Sequence, residues 1–182
     1  KFSPNSEIIK YSQDKALMSE KLARFYNPKW QEITDAIDFD FEVTVMVARS
    51  PHGQASTWAP TKKIQRGGIA FETITPVPEF NKYQSEVVQQ LALQIAEEIK
   101  LVGVMAVEIF TKGEGLFINE LILGPHHSGN WTIEGSITSQ FEQHLRAILD
   151  LPLGDTAMTA NWAVVGNLFG GDKSDMYRPY LH

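Results

Sequence analysis

The chain has 182 residues, 43% of them hydrophobic and 21% charged, with a net charge of −6 and no cysteine. This is ordinary composition for a soluble globular domain, or for one domain and a fragment. The acidic balance without a basic block argues against a nucleic-acid surface, the missing cysteines remove disulfides and thiol catalysis, and no apolar run is long enough to span a bilayer.

No signal-peptide pattern opens the chain, so a cytoplasmic protein without membrane contact is the expectation. The first residue is Lys1 and not Met, which suggests a piece of a longer protein. Residues 3–26 are predicted helical. Ser3-Pro4 reads as an N-cap with proline at the first helical position, Ser12 as a restart, and Pro28 as the stop. Val43, Val45 and Val47 then alternate with Thr44, Met46 and Ala48, the pattern of a strand. Ser50–Gly53 is a turn, and Ser56-Thr57-Trp58 begins a return strand. Asp35, Asp38, Asp40 and Glu42 read either as a cation or ribose site or as a charged sheet edge.

In Lys62-Lys63-Ile64-Gln65-Arg66-Gly67-Gly68-Ile69, three cations precede a glycine pair. The stretch reads as a phosphate-approaching turn or as a plain hairpin. Neither GxxxxGK[ST] nor GxGxxG occurs in the chain. Residues 79–100 are the clearest helix, with Val88, Leu91, Ile95 and Ile99 at helical spacing. The order hairpin–helix–hairpin implies an α+β fold with helices packed on a largely antiparallel sheet.

The second hairpin carries the chemistry. Two apolar runs, Val104–Phe110 and Leu116–Leu123, flank Lys112-Gly113-Glu114-Gly115. Each run holds one carboxylate, Glu108 and Glu120. A register centred on Glu114 sets them opposite each other, where they repel unless a cation lies between them. Mg²⁺ suits such a pair, because it takes one or two carboxylates together with phosphates. A register shifted by one residue would turn one glutamate to water, and the pattern alone leaves both registers open. The polar loop Gly124–Trp131 follows, with adjacent His126 and His127 lacking the spacing of a zinc helix. Residues 136–149 are a predicted helix with Ile137, Phe141, Leu145, Ile148 and Leu149 on one face, a Ser139-x-x-Glu142 cap, and His144 and Arg146 as surface or helix-dipole residues near its C-terminal half. Trp162–Phe169 holds a last strand.

On these motifs the chain resembles the N5-carboxyaminoimidazole ribonucleotide synthase family, ATP-grasp ligases of purine biosynthesis. The resemblance is carried by TIEGSITSQFEQHLRAILDLPLG at 132–154, by GVMAVEIF at 103–110, FINE at 117–120, EVTVMVAR at 42–49, the Gln65–Ile69 turn, and MYRPYLH at 176–182. It implies an ATP-grasp fold and a reaction in which ATP, bicarbonate and 5-aminoimidazole ribonucleotide give the N5-carboxylated product, ADP and phosphate. It implies ATP and Mg²⁺ as cofactors, with Glu108 and Glu120 as metal ligands and Asn119 beside them. Thr34, Asp35, Ala36 and Ile37 match the adenine-side hinge, Glu42 the ribose carboxylate, and Gln65 a further nucleotide contact. His126 and Ser128 match the loop facing bicarbonate and the imidazole substrate.

The same resemblance divides the chain into a leading helix at 1–30, a partial ATP-grasp domain at 31–160, and the start of a C-terminal domain at 161–182. The family's flap subdomain would enter between Trp30 and Glu32. Gly124 and His127 stand where the family has Arg and Asn, Thr34 replaces a hinge Glu, and Lys62 adds a cation. Losing an oxyanion-stabilising guanidinium costs roughly 10²–10³ in rate. Two alternatives follow: a non-catalytic ATP-grasp remnant acting as a nucleotide-binding or interaction module, and a metallohydrolase using His126, His127 and Glu120. A homodimer is left open.

Overall fold

The computed structural model describes residues 4–25 and 39–169. Its centre is β1 (Phe41–Arg49), in which every residue after Phe41 is buried. β5 (Gly103–Lys112) pairs with it along its whole length, from Phe41 opposite Thr111 to Arg49 opposite Gly103. β6 (Gly115–Leu123) lies outside β5, and β3 (Thr61–Arg66), β4 (Ile69–Thr75) and β7 (Ala163–Gly166) follow on the other side of β1. The order is β6-β5-β1-β3-β4-β7, with short β2 (Ala55–Thr57) paired to the end of β1. Every pairing is antiparallel, as the hairpin pattern implies. Residues 161–169, assigned from sequence to a further domain, supply β7 to this same sheet.

One face of the sheet carries Val43, Val45, Val47, Met105, Val107 and Ile109. Against it pack α1 (Ser6–Gln13), α2 (Lys15–Leu22) and α3 (Lys82–Glu98) through Ile8, Met18, Leu22, Val88, Ala92 and Ile95. Burial stabilises each large apolar side chain by about 1.5–3 kcal/mol. α3 starts at Lys82, three residues after the predicted start at 79, because Asn81 and Gln84 satisfy each other's backbone N–H groups in a capping box, at 2.9 and 3.0 Å. The leading helix departs from expectation. It begins at Ser6 after Asn5, not at Ser3-Pro4, and it breaks at Asp14, not at Ser12. The Asp14 carboxylate accepts from the N–H groups of Ala16 and Leu17, which makes it the cap of α2.

The opposite face divides in two along the strands. Its far half is apolar: Met46, Ala48, Val104 and Ala106 lie under Trp58 and Trp131. Both indole N–H groups are satisfied, Trp58 by the Thr138 carbonyl at 3.0 Å and Trp131 by Thr61 Oγ1 at 3.1 Å. α4 (Thr132–Gly135) and α5 (Gln140–Ile148) follow the loop after β6. α5 packs on the sheet in the sense opposite to its apolar stripe. Gln140, Gln143 and Ala147 are buried, whereas Ile137, Phe141, Leu145 and Leu149 are exposed.

His144, expected at the surface or as a helix-dipole residue, is half-buried and its Nδ1 accepts from Val104 N at 3.1 Å. Burial lowers its pKa, so the fold favours the neutral ring. This contribution to stability is therefore present above the unfolded pKa of about 6.5 and is lost as pH falls through the lower folded value. Thermal melts between pH ~7.5 and ~5.5 should show wild type losing stability relative to His144→Asn, which cannot titrate. Parallel curves would mean that His144 is not buried in this way.

Candidate active site

Alternation along β1 turns Glu42 and Thr44 to the face away from Val43 and Val45. Register then assembles their neighbours. Lys63 lies opposite Glu42, Thr61 and Glu108 lie on either side of Thr44, and Glu120 lies opposite Glu108. The near half of this face is thus polar, continuous with the apolar half under the two tryptophans.

The hairpin reaches the Glu108–Glu120 pairing by a different route from the predicted one. The turn is Gly113-Glu114, closed by Lys112 opposite Gly115, so pairing runs one residue out of step with a register centred on Glu114. A bulge at Asn119 restores it: Ile109 faces Ile118, yet Glu108 faces Glu120. Gly113, at φ 56°, takes the left-handed conformation that a two-residue turn requires. Bulges re-aim side chains next to sites, and here Asn119 Nδ2 donates to Glu108 Oε2 at 3.3 Å. Asp40, from the acidic cluster, accepts from Gly113 N at 2.7 Å and so serves the turn.

Glu42 and Glu108 are 3% and 5% exposed, and a single ammonium lies between them. Lys63 Nζ is 2.7 Å from Glu42 Oε1 and 3.2 Å from Glu108 Oε1. Gln65 Nε2 donates to Glu42 Oε2 at 3.0 Å. Burial pushes the Glu42 carboxyl up to about 7; the Lys63 hydrogen bond opposes the rise and the Glu108 charge adds to it. Burial alone would lower the Lys63 ammonium, but the two carboxylates outweigh it and its pKa is raised. Lys62, the cation singled out by comparison with the family, points elsewhere and pairs with Glu79. Gly67 and Gly68 form the plain turn between β3 and β4.

The loop after β6 brings His126 Nε2 to 3.8 Å from Glu108 Oε1, and Ser128 Oγ accepts from Thr44 Oγ1 at 3.3 Å. Burial, followed by the charge of neighbouring His127, pushes His126 down to about 4. Burial, then Lys63, lowers His127 as well. Ser128 N donates to His126 Nδ1 at 3.4 Å, which assigns the proton of the neutral ring to Nε2, on the side of Glu108. Gln140, fully buried, clamps the loop. It accepts from His126 N at 2.8 Å and donates to His126 O at 2.8 Å and to Asn130 Oδ1 at 3.1 Å. Gly129 is required beneath it, since a Cβ there would meet Gln140 Oε1 at 2.6 Å. Gly124 has φ 114°, a conformation that strains any side-chain-bearing residue, so an arginine cannot be restored at 124 without cost.

The structure therefore brings together Glu42, Gln65, Glu108, Asn119, Glu120, His126 and Ser128. Thr34, Asp35, Ala36 and Ile37 lie outside the described residues. Sequence reasoning missed Thr44 and Gln140, and it read Lys63 only as one of three cations before the glycine pair. Only Lys63 carried a readable signal, since a strand that placed Gln65 in the site also placed Lys63 there. Glu108 already holds a cation, the Lys63 ammonium, and Glu120 lies opposite it, so the two offer the oxygen donors that suit Mg²⁺. Among the described residues no group of three or more His, Asp and Glu forms an all-protein cage, so further ligands would be phosphate or water. His126, His127 and Glu120 do not form such a group. A cavity of about 590 Å³ lined by Phe25, Tyr83, Glu86, Gln90 and Leu116 lies elsewhere, between α3 and the β5–β6 turn.

The fold agrees with comparison to known proteins. The ATP-grasp domain matches residues 7–141, and the chain belongs to the ATP-grasp family. Within that family it is similar to N5-carboxyaminoimidazole ribonucleotide synthases. It is 45% identical over 139 residues to that of Mycobacterium tuberculosis, covering 76% of this chain and 32% of that protein. The crystal structure of the Thermus thermophilus enzyme matches with a TM-score of 0.71 at 38% identity, over 75% of this chain and 38% of that one. The Aspergillus clavatus enzyme in complex with ADP and 5-aminoimidazole ribonucleotide matches with a TM-score of 0.69 at 28% identity, over 74% and 36%. The chain spans about a third of the length of these relatives.

Proposed function

We propose that this chain is the metal- and nucleotide-binding part of an ATP-dependent ligase that joins bicarbonate to 5-aminoimidazole ribonucleotide, giving N5-carboxyaminoimidazole ribonucleotide in cytoplasmic purine biosynthesis. The observation that carries this reading is Glu108 opposite Glu120 at the polar end of the sheet, held in register by the Asn119 bulge. Glu108 and Glu120 would hold Mg²⁺, whose contribution is to neutralise phosphate charge. Glu42 and Gln65 would bind the ribose side of ATP, Asn119 the phosphate side, and Thr34–Ile37 the adenine. A bicarbonate oxygen attacks the γ-phosphorus, releasing ADP and forming carboxyphosphate. The substrate amine then attacks the carboxyl carbon, phosphate leaves, and the amine gives up a proton. His126, neutral at pH 7, would hydrogen-bond the carboxyl oxygens through Nε2–H, with Ser128 beside it.

ATP consumption dependent on both bicarbonate and 5-aminoimidazole ribonucleotide tests this directly. No turnover, together with no calorimetric binding of Mg²⁺–ATP, would sink the ligase reading. No turnover with binding intact would favour the second reading, a non-catalytic nucleotide-binding module. The left-handed Gly124 favours that reading, because the loop has lost a guanidinium and adopted a backbone unsuited to one.

We extend the proposal to a homodimer through α5. Phe141 and Leu145 on α5, with Ile137 before it and Leu149 at its end, are 44–65% exposed and would form the apolar centre of an antiparallel two-fold pairing. Sedimentation should give a dimer for wild type and a monomer for Leu145→Glu. A wild-type monomer would rule this out.

A further inference from the structure

We propose that Lys63 is a tethered counter-cation that occupies Glu108 while the site holds no metal and surrenders it when a divalent cation arrives with phosphate. The inference rests on Glu108 being a metal ligand, as proposed above.

Each oxygen of the buried carboxylate pair already has a protein partner. Lys63 holds Oε1 of both Glu42 and Glu108, Gln65 holds Oε2 of Glu42, and Asn119 holds Oε2 of Glu108. Two buried carboxylates without a cation would repel each other and bear an unpaired desolvation cost. The ammonium removes that cost, so the metal-free chain has no need of an ion. Each Glu108 oxygen keeps a lone pair, but a divalent cation that uses it lies close to the Lys63 ammonium, and the repulsion favours displacing Lys63. Alone, the divalent cation gains little from the exchange, because a displaced ammonium remains close by and repels it.

With a polyphosphate present the exchange becomes favourable. Lys63 keeps Glu42, its closer partner at 2.7 Å, and gains phosphate oxygens in place of Glu108 at 3.2 Å. Lysine is suited to this, as a compact charge on a flexible stem. The consequence is coupled binding: the cation enters with the nucleotide and only weakly before it. The position follows from register, since Lys63 opposite Glu42 and Glu108 one strand further on leave the stem within reach of both.

The test is the Lys63→Met variant, with Mn²⁺ as probe, read by the free-ion resonance signal and by thermal melts without nucleotide. Free Mn²⁺ should bind about tenfold or more tighter to the variant than to wild type. The metal-free variant should melt lower than metal-free wild type, and Mn²⁺ should restore it. A variant that folds only with Mn²⁺ supports the same conclusion. Equal Mn²⁺ affinity in the two proteins overturns it. So does a variant that Mn²⁺ fails to fold or stabilise, since the metal then cannot replace the ammonium. Wild type with ADP is the control that separates the two levels. Failure to bind Mn²⁺ there rejects the metal site itself, whereas normal binding there with an unaltered Lys63→Met rejects only the role of Lys63.

Discussion

Glu108→Gln should abolish Mg²⁺-dependent ADP binding while leaving the chain folded, with affinity in calorimetry falling by about 100-fold or more. Changes one shell further from a metal already cost about 10–100-fold, and this change removes a ligand charge. The fold should survive because glutamine fills the same volume and its one carbonyl oxygen still accepts from Lys63, at the cost of the bond from Asn119 Nδ2. Lys63 also retains Glu42 at 2.7 Å, so no buried charge is orphaned. The Glu108 charge contributes to the raised pKa of Glu42, so that pKa should move downward in the variant. Glu120→Gln should lose Mg²⁺-dependent binding in the same way, because the bulge places both carboxylates at one register position. Unchanged ADP affinity in either variant would mean that the pair is not the metal site.

Gln140→Leu should destabilise the chain by about 3 kcal/mol and loosen the loop that carries His126. The substitution keeps the bulk of the side chain but strands the N–H and carbonyl of His126, both of which Gln140 satisfies at 2.8 Å. Each unsatisfied buried group costs about 1–3 kcal/mol. Chemical denaturation measures the loss, and the imidazole signals of His126 report the loop. Wild-type stability would show that water replaces the amide and that the clamp is not structural. The comparison with Glu108→Gln is informative, because one variant keeps the fold and loses the ligand while the other does the reverse.

These two residues also mark how far the sequence could be read. Glu108 and Glu120 were visible because a lone carboxylate in an apolar strand contradicts its surroundings. Their register was only half visible. Equal spacing from Glu114 gave the right pairing, yet the chain achieves it with a two-residue turn and a bulge that spacing cannot reveal. Gln140 was invisible. A glutamine in an amphipathic helix reads as its wet side, and only the loop's unpaired backbone groups explain its burial. α5 shows the same limit on a larger scale. Periodicity groups Ile137, Phe141, Leu145 and Leu149 on one face but does not say which way that face turns, and here it turns outward. β1 and α3 were legible throughout, since alternation in one and a capped 3.6-residue stripe in the other point to the same core. Lys63 fell between these cases: of two adjacent lysines, register alone decides which one enters the site.

The most direct measurement on the proposed site is a Mn²⁺–ADP titration of the isotopically labelled chain, read as paramagnetic broadening of assigned amide signals. Glu108, Asn119 and Glu120 should broaden first, followed by Glu42 and Lys63 on the adjoining strands. Broadening centred instead on Tyr83 and Glu86, in the groove between α3 and the β5–β6 turn, or no broadening at all, would contradict the placement of metal and nucleotide at the carboxylate end of the sheet.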